Sequence, residues 1–297
     1  MQKFKGMLLI IISAIAFGAI PIFARAAYRA GSDPISVLFF RFSIASIIMI
    51  LWVIARKIPF PRGKFLLGLM LMGGMGYVGQ SFCYFTALTM ASAGLVAILL
   101  YLYPVIVAIL SALLFKERMT GPKILALILA LVGTVLTIGL SGGGQLLGIV
   151  LAMTAPFIYS AYILAGSKII KEAGVLSSST VVMISAGLVF GIFITVKGLN
   201  VPQTLAGWGG VFAIALVSTV IAIIAFFAGL ERVGPTNASM LSTFEPVTTV
   251  VLAAIFLGEE VGFMRMMGGV FILFAVILLA KSEFRMTRQR VFIEGGD

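Results

Sequence analysis

The chain has 297 residues, 61% of them hydrophobic and 10% charged, with a formal net charge of +11 and a mean hydropathy of +1.20. That composition excludes a water-soluble globular domain and describes an all-helical integral membrane protein, with room for roughly ten spans of about 20 residues each. The alternating pattern that a membrane β-barrel needs is absent. Histidine is missing and Cys83 stands alone, so no metal site, disulfide framework or histidine proton relay is expected. No GxxxxGK[ST] run occurs, which argues against ATP hydrolysis and for gradient energy. No cofactor is expected. The bases sit at span ends rather than on one face, so they read as topology signals and not as a nucleic-acid surface.

In chain order, ten apolar segments are bounded by charges or Gly/Pro-rich breaks: 7–26, 34–55, 65–87, 91–115, 122–140, 146–167, 177–197, 208–230, 235–257 and 264–281. The first, after MQKFKG, has the look of a signal peptide but fits as the first of a regular series and is read as retained. With the N-terminus inside, sixteen Lys and Arg residues fall on the cytoplasmic side, against Arg25, Arg29, Lys197 and Arg265 outside, with Arg41 within span 2. This bias predicts a multi-pass inner-membrane protein with both termini in the cytoplasm. The cationic tail KSEFRMTRQR suits contact with anionic lipid.

The stretch from Tyr84 aligns without a gap on the stretch from Phe226, so that Pro104 falls on Pro246 and Glu117 on Glu259 at one and the same offset. Two five-span repeats are expected, 1–141 and 142–297, and an odd number of spans per repeat inverts the second in the membrane. Inverted repeats with broken spans near the midplane are the architecture of secondary transporters.

The two-fold five-span layout, FEPV in span 9 with YLYPV in span 4, and the FKER and LGEE endings resemble the EamA repeat of the drug/metabolite transporter superfamily. The resemblance covers nearly the whole chain. It implies a ten-helix inner-membrane carrier, often an exporter of amino acids or other metabolites, with substrate held between the repeats. Aromatic amino-acid exporters of the YddG type are the nearest functional analogy.

Glu245 is the first site candidate, because an acid inside a span costs about 3 kcal/mol unless it meets a polar cavity or a proton. Two readings stand side by side: a cavity carboxylate that takes a substrate ammonium or a proton, and a carboxyl that serves the bend before Pro246. Pro104 and Pro246 are either simple kinks or a symmetric pair of hinges. Tyr77, Gln80, Tyr101, Tyr103 and Tyr159 are candidates to line a cavity suited to an aromatic or amphipathic solute, whereas Tyr84 is expected in the outer aromatic belt. Thr236, Asn237 and Ser239 open span 9, where capping explains them, and Asn237 is also a cavity candidate.

Arg41 is expected to snorkel to the outer headgroups, the other reading being a counter-ion for a substrate carboxylate. The glycines of GGMGYVG form a close-packing face and not a nucleotide loop. Gly268 and Gly269 suggest close packing or a dimer contact, so a monomer or homodimer is expected. Glu117 and Glu259 read as interface residues. The chain is therefore expected to export a small organic solute, an amino acid or a related metabolite, by alternating access; the alternatives are a channel lined by spans 4 and 9 and an EamA-type carrier of another metabolite or drug.

Overall fold

The computed structural model describes residues 2–117, 119–139, 144–258 and 260–294, with side chains described through residue 282 except at 93 and 94. The boundary expected at 141/142, Arg118, Glu259 and the side chains of the cationic tail lie outside the described residues.

Among the described residues, ten helices are long and apolar enough to cross a membrane: Gln2–Arg29, Pro34–Ala55, Gly63–Leu88, Leu95–Phe115, Gly121–Ile138, Leu146–Ala173, Val175–Lys197, Leu205–Val233, Pro235–Leu257 and Phe263–Ser282, numbered as spans 1 to 10. Helices suit a bilayer because they close most of their backbone hydrogen bonds within the segment. Their starts carry ordinary helix chemistry. Asp33 caps span 2 by accepting from the Ile35 and Ser36 amides, with Pro34 in the first turn, and Thr204 caps span 8 through the Gly207 amide; such caps contribute about 1 kcal/mol each.

Three spans are broken. Span 1 divides into 1a (Gln2–Gly18) and 1b (Ile20–Arg29). Span 4 divides into 4a (Ala93–Leu100) and 4b (Tyr103–Phe115), and span 9 into 9a (Pro235–Ser242) and 9b (Glu245–Leu257). All four boundaries of span 4 recur in span 9 at the offset that carries Pro104 onto Pro246. So does the residue that ends each span in the left-handed conformation, Lys116 at φ 53° and Gly258 at φ 66°. Pro104 and Pro246 open the second half-helices, where a missing N–H costs nothing. Spans 3 and 8 each contain a π-helical turn, Met72–Tyr77 and Leu216–Ile221, which shifts the residues beyond it around the helix axis.

Packing follows the same exchange. Span 1 lies on span 8, 2 on 7, 3 on 6 and 5 on 10. Swapping the repeats maps the 2–7 and 5–10 pairs onto themselves and trades the 1–8 pair for the 6–3 pair. Small residues set the closest approaches. A Cβ on Gly73 would sit 2.4 Å from the Val182 carbonyl oxygen, and one on Gly133 would sit 2.7 Å from that of Gly268. The close-packing face expected around Gly73 is thus seated on span 7. Gly268 is packed within the chain against Gly133 and Thr137 of span 5.

Candidate functional site

Span 9 packs against both other broken spans, its two halves on 1a and its first half on 4b. A ladder of aromatic rings runs from span 2 through spans 3 and 6 to span 4: Phe42 to Tyr77 at 5.1 Å between centroids, Tyr77 to Tyr162 at 6.1 Å, Tyr162 to Tyr159 at 5.9 Å, Tyr159 to Tyr103 at 4.8 Å and Tyr103 to Tyr101 at 6.2 Å. Edge-to-face pairs such as Tyr103 with Tyr159 each add about 1 kcal/mol beyond burial. The Tyr103 hydroxyl reaches the Ser239 carbonyl of 9a at 3.4 Å.

Glu245 is the first residue of 9b and is half-buried. Its carboxylate lies within electrostatic reach of Tyr84, Tyr101, Tyr103 and Tyr159 and of Arg41, and it forms no ion pair or side-chain hydrogen bond among the described residues. Its backbone is held tightly. A Cβ on Gly18 would sit 2.8 Å from the Glu245 carbonyl oxygen. The Thr249 hydroxyl donates to the Gly18 carbonyl at 3.0 Å, serving an acceptor at the break of span 1 that the backbone ladder leaves available. The equivalent support in the first repeat comes from Ser160, whose hydroxyl meets the Tyr103 carbonyl at 3.3 Å. Gly18 and Ser160 are themselves related by the repeat offset, as are Tyr103 and Glu245.

Arg41 does not snorkel. It is 4% exposed because span 2 turns it inward between the two π-helical turns. Nε donates to Thr219 Oγ1 at 2.6 Å, and Nη2 donates to Tyr77 Oη at 3.0 Å and to the Ser218 carbonyl at 2.9 Å. The guanidinium also lies over the Phe42 and Tyr77 rings, at 5.0 and 5.8 Å, a favourable cation–π geometry. Tyr77 and Thr219 stand at the repeat offset too, so Arg41 joins equivalent positions of the two repeats.

The remaining candidates separate. Tyr77, Tyr101, Tyr103 and Tyr159 belong to the aromatic ladder. Gln80 is half-buried one turn beyond Tyr77. Tyr84 is half-buried in the same electrostatic neighbourhood as Glu245.

Asn237 is 3% exposed inside 9a. The capping expected of its neighbours does not occur, since Gly234 stands at the N-cap of 9a without a side-chain cap. Instead Asn237 donates to the Val233 carbonyl, and Thr236 donates to Glu117 Oε2 at 2.7 Å. Glu117 in turn pairs with Lys123 at 3.1 Å. Far from being a bare interface residue, Glu117 ties the end of 4b to the start of 9a.

The result is lopsided about the centre. At the Glu117 end, 4b and 9a pack together. At the other end no comparable packing joins 4a to 9b among the described residues. That second end is tied elsewhere, by Asp33, which accepts from Ser36 Oγ at 2.6 Å and Asn200 Nδ2 at 2.8 Å and so links the loop before span 2 to the loop before span 8. Burial pushes the Asp33 carboxyl up, but these bonds and those from the Ser36 and Ile35 amides outweigh it and hold the group below its ordinary value of 3.8.

Thr219 and Ser218 were not singled out from the sequence. The usable signal was the repeat offset between Tyr77 and Thr219, together with one arginine in a span.

Comparison with known proteins bears on the fold and the family. Residues 4–139 and 146–281 each match the EamA-like transporter family. The uncharacterized transporter YcbK of Bacillus subtilis is 26% identical over 90% of this chain and 90% of its own length. The uncharacterized inner membrane transporter YicL of Salmonella typhimurium is 24% identical, over 96% of this chain and 98% of its own. A solved crystal structure, 18% identical, superposes with a TM-score of 0.81 over 92% of this chain and 96% of that one, which shows a shared fold.

Proposed function

Because the chain belongs to the EamA-like transporter family and is a multi-pass membrane transporter rather than an enzyme, we propose that it exports an amino acid or a related small organic metabolite across the inner membrane by alternating access. The observation that carries this reading is the lopsided centre. The packed pair 4b–9a and the unpacked pair 9b–4a are related by exchange of the repeats, 1–141 and 142–297. A second state in which the repeats trade conformations would close 4a on 9b and part 4b from 9a, which is how inverted repeats move around a fixed midplane site.

In this reading Pro104 and Pro246 open the half-helices that swing, and the two-residue breaks before them absorb the change. The bias of Lys and Arg supports a cytoplasmic Glu117 end, with both termini on that side. The described state is then closed toward the cytoplasm. Glu245 and the tyrosines form the solute surface, with the carboxylate available to an ammonium group or a proton and the rings to an aromatic or amphipathic body.

The test is counterflow of radiolabelled amino acids in proteoliposomes. Saturable uptake that depends on unlabelled solute inside is the expected result. Single-channel current steps without counterflow would favour a pore lined by spans 4 and 9 and sink the carrier reading.

A further inference from the structure

Among the described residues, nothing compensates the charge of Arg41 at contact distance. A guanidinium offers five N–H donors. Three are used, one on Nε and two on Nη2, and all three acceptors are neutral: a hydroxyl, a phenol and a carbonyl. No carboxylate pairs with Arg41 among the described residues. Burying a cation with neutral partners alone is costly, and the cost falls when an anion is supplied. No hydrogen bond engages Nη1 among the described residues, so its two donors are left for a ligand.

We propose that Arg41 is the anion-recognition residue of the transport site, its Nη1 edge receiving the carboxylate of the solute while Glu245 receives the ammonium. This rests on the carrier reading above and narrows it to zwitterionic solutes. The guanidinium is held in one orientation by bonds to both π-helical turns and by two aromatic faces, which spares the solute the cost of ordering it. It touches span 3 and span 8 at equivalent positions, so it stays near the centre as the repeats trade conformations. Glu245 senses the same charge without closing on it, which leaves the two groups to the two ends of an amino acid. The Tyr77, Tyr162 and Tyr159 rings lie along the ladder that starts at Arg41, the place for an aromatic side chain.

The experiment compares L-phenylalanine with its methyl ester, with 2-phenylethylamine and with 3-phenylpropionate, by calorimetry on the purified full-length protein and by competition in counterflow. L-Phenylalanine is expected to bind at least tenfold more tightly than the ester or the amine. In Arg41→Lys, which keeps the charge and loses the planar fork, the preference for acid over ester should fall toward unity. An arginine that served packing alone would weaken acid and ester together, and that result would overturn the proposal, as would equal binding of acid and ester to the unaltered protein; in both cases the carrier reading stands. 3-Phenylpropionate should retain the dependence on Arg41 and lose any dependence on Glu245. Failure of every compound in the series to bind would overturn the amino-acid reading and this proposal with it.

Discussion

The breaks in spans 4 and 9 are the same device built twice with different chemistry. Both are two residues long, both precede a proline-led half-helix, and both lean on an equivalent span of the other repeat. At the first, Ser160 of span 6 meets the Tyr103 carbonyl. At the second, Gly18 of span 1 lies close against the Glu245 carbonyl. The frame is therefore symmetric and the side chains are not: a tyrosine wedged against the Ser239 carbonyl on one side, a half-buried carboxylate on the other. Symmetry of the frame provides two interchangeable states, and asymmetry of its contents provides a site that distinguishes solutes.

The largest expected effect comes from filling the approach at Gly18. Gly18→Leu forces the Glu245 backbone away from span 1 and should cost about 1–3 kcal/mol, as overpacking does, with loss of counterflow. Thermal melting in detergent and proteoliposome uptake read the two consequences. Gly18→Ser imitates Ser160 and should be the milder variant; equal damage from both would break the comparison.

Next is the tie between 4b and 9a. Glu117→Gln removes a charged acceptor from Thr236 and the partner of a Lys123 that is 4% exposed. Loss of about 1.5 kcal/mol from that end should raise hydrogen exchange of the 9a amides roughly tenfold while the 9b amides change little.

Asp33 tests the opposite end. Its carboxyl titrates below the ordinary value in the folded protein, so the stabilisation it supplies is complete above that value and is lost as pH falls through the lowered one. The melting temperature should decline below about pH 4, and Asp33→Asn should flatten that decline. The smallest effect is expected at Lys116, which holds the left-handed conformation where the second repeat has Gly258. Lys116→Gly should stabilise the protein by up to about 1 kcal/mol, seen as a small rise in melting temperature.

Much of this frame is legible in the amino-acid sequence because hydropathy and proline act locally. The ten spans follow from apolar run lengths, and the two breaks follow from Pro104 and Pro246 at one spacing. The site is less legible because a span has no inherent facing direction. Arg41 reads as a snorkelling residue until the turn of span 2 and the two π-helical turns place it between Tyr77 and Thr219. Nothing in MGGMGY or LVSTVI marks a π-helical turn, so the rotation that brings Tyr77 and Thr219 to one guanidinium is a tertiary outcome. Thr236 and Asn237 mislead for a similar reason: polar residues at a helix start suggest capping, whereas Glu117 arrives from another span to take the hydrogen bond.

The asymmetric carboxylate at the second break is expected to do chemistry that the tyrosine at the first does not. Counterflow of a bound solute across a range of pH, measured for the unaltered protein and for Glu245→Gln, tests it most directly. Saturable, pH-dependent transport is expected in the former, and loss of the pH dependence with at least a tenfold slower rate in the latter. Full-rate transport with unchanged pH dependence in Glu245→Gln would contradict it.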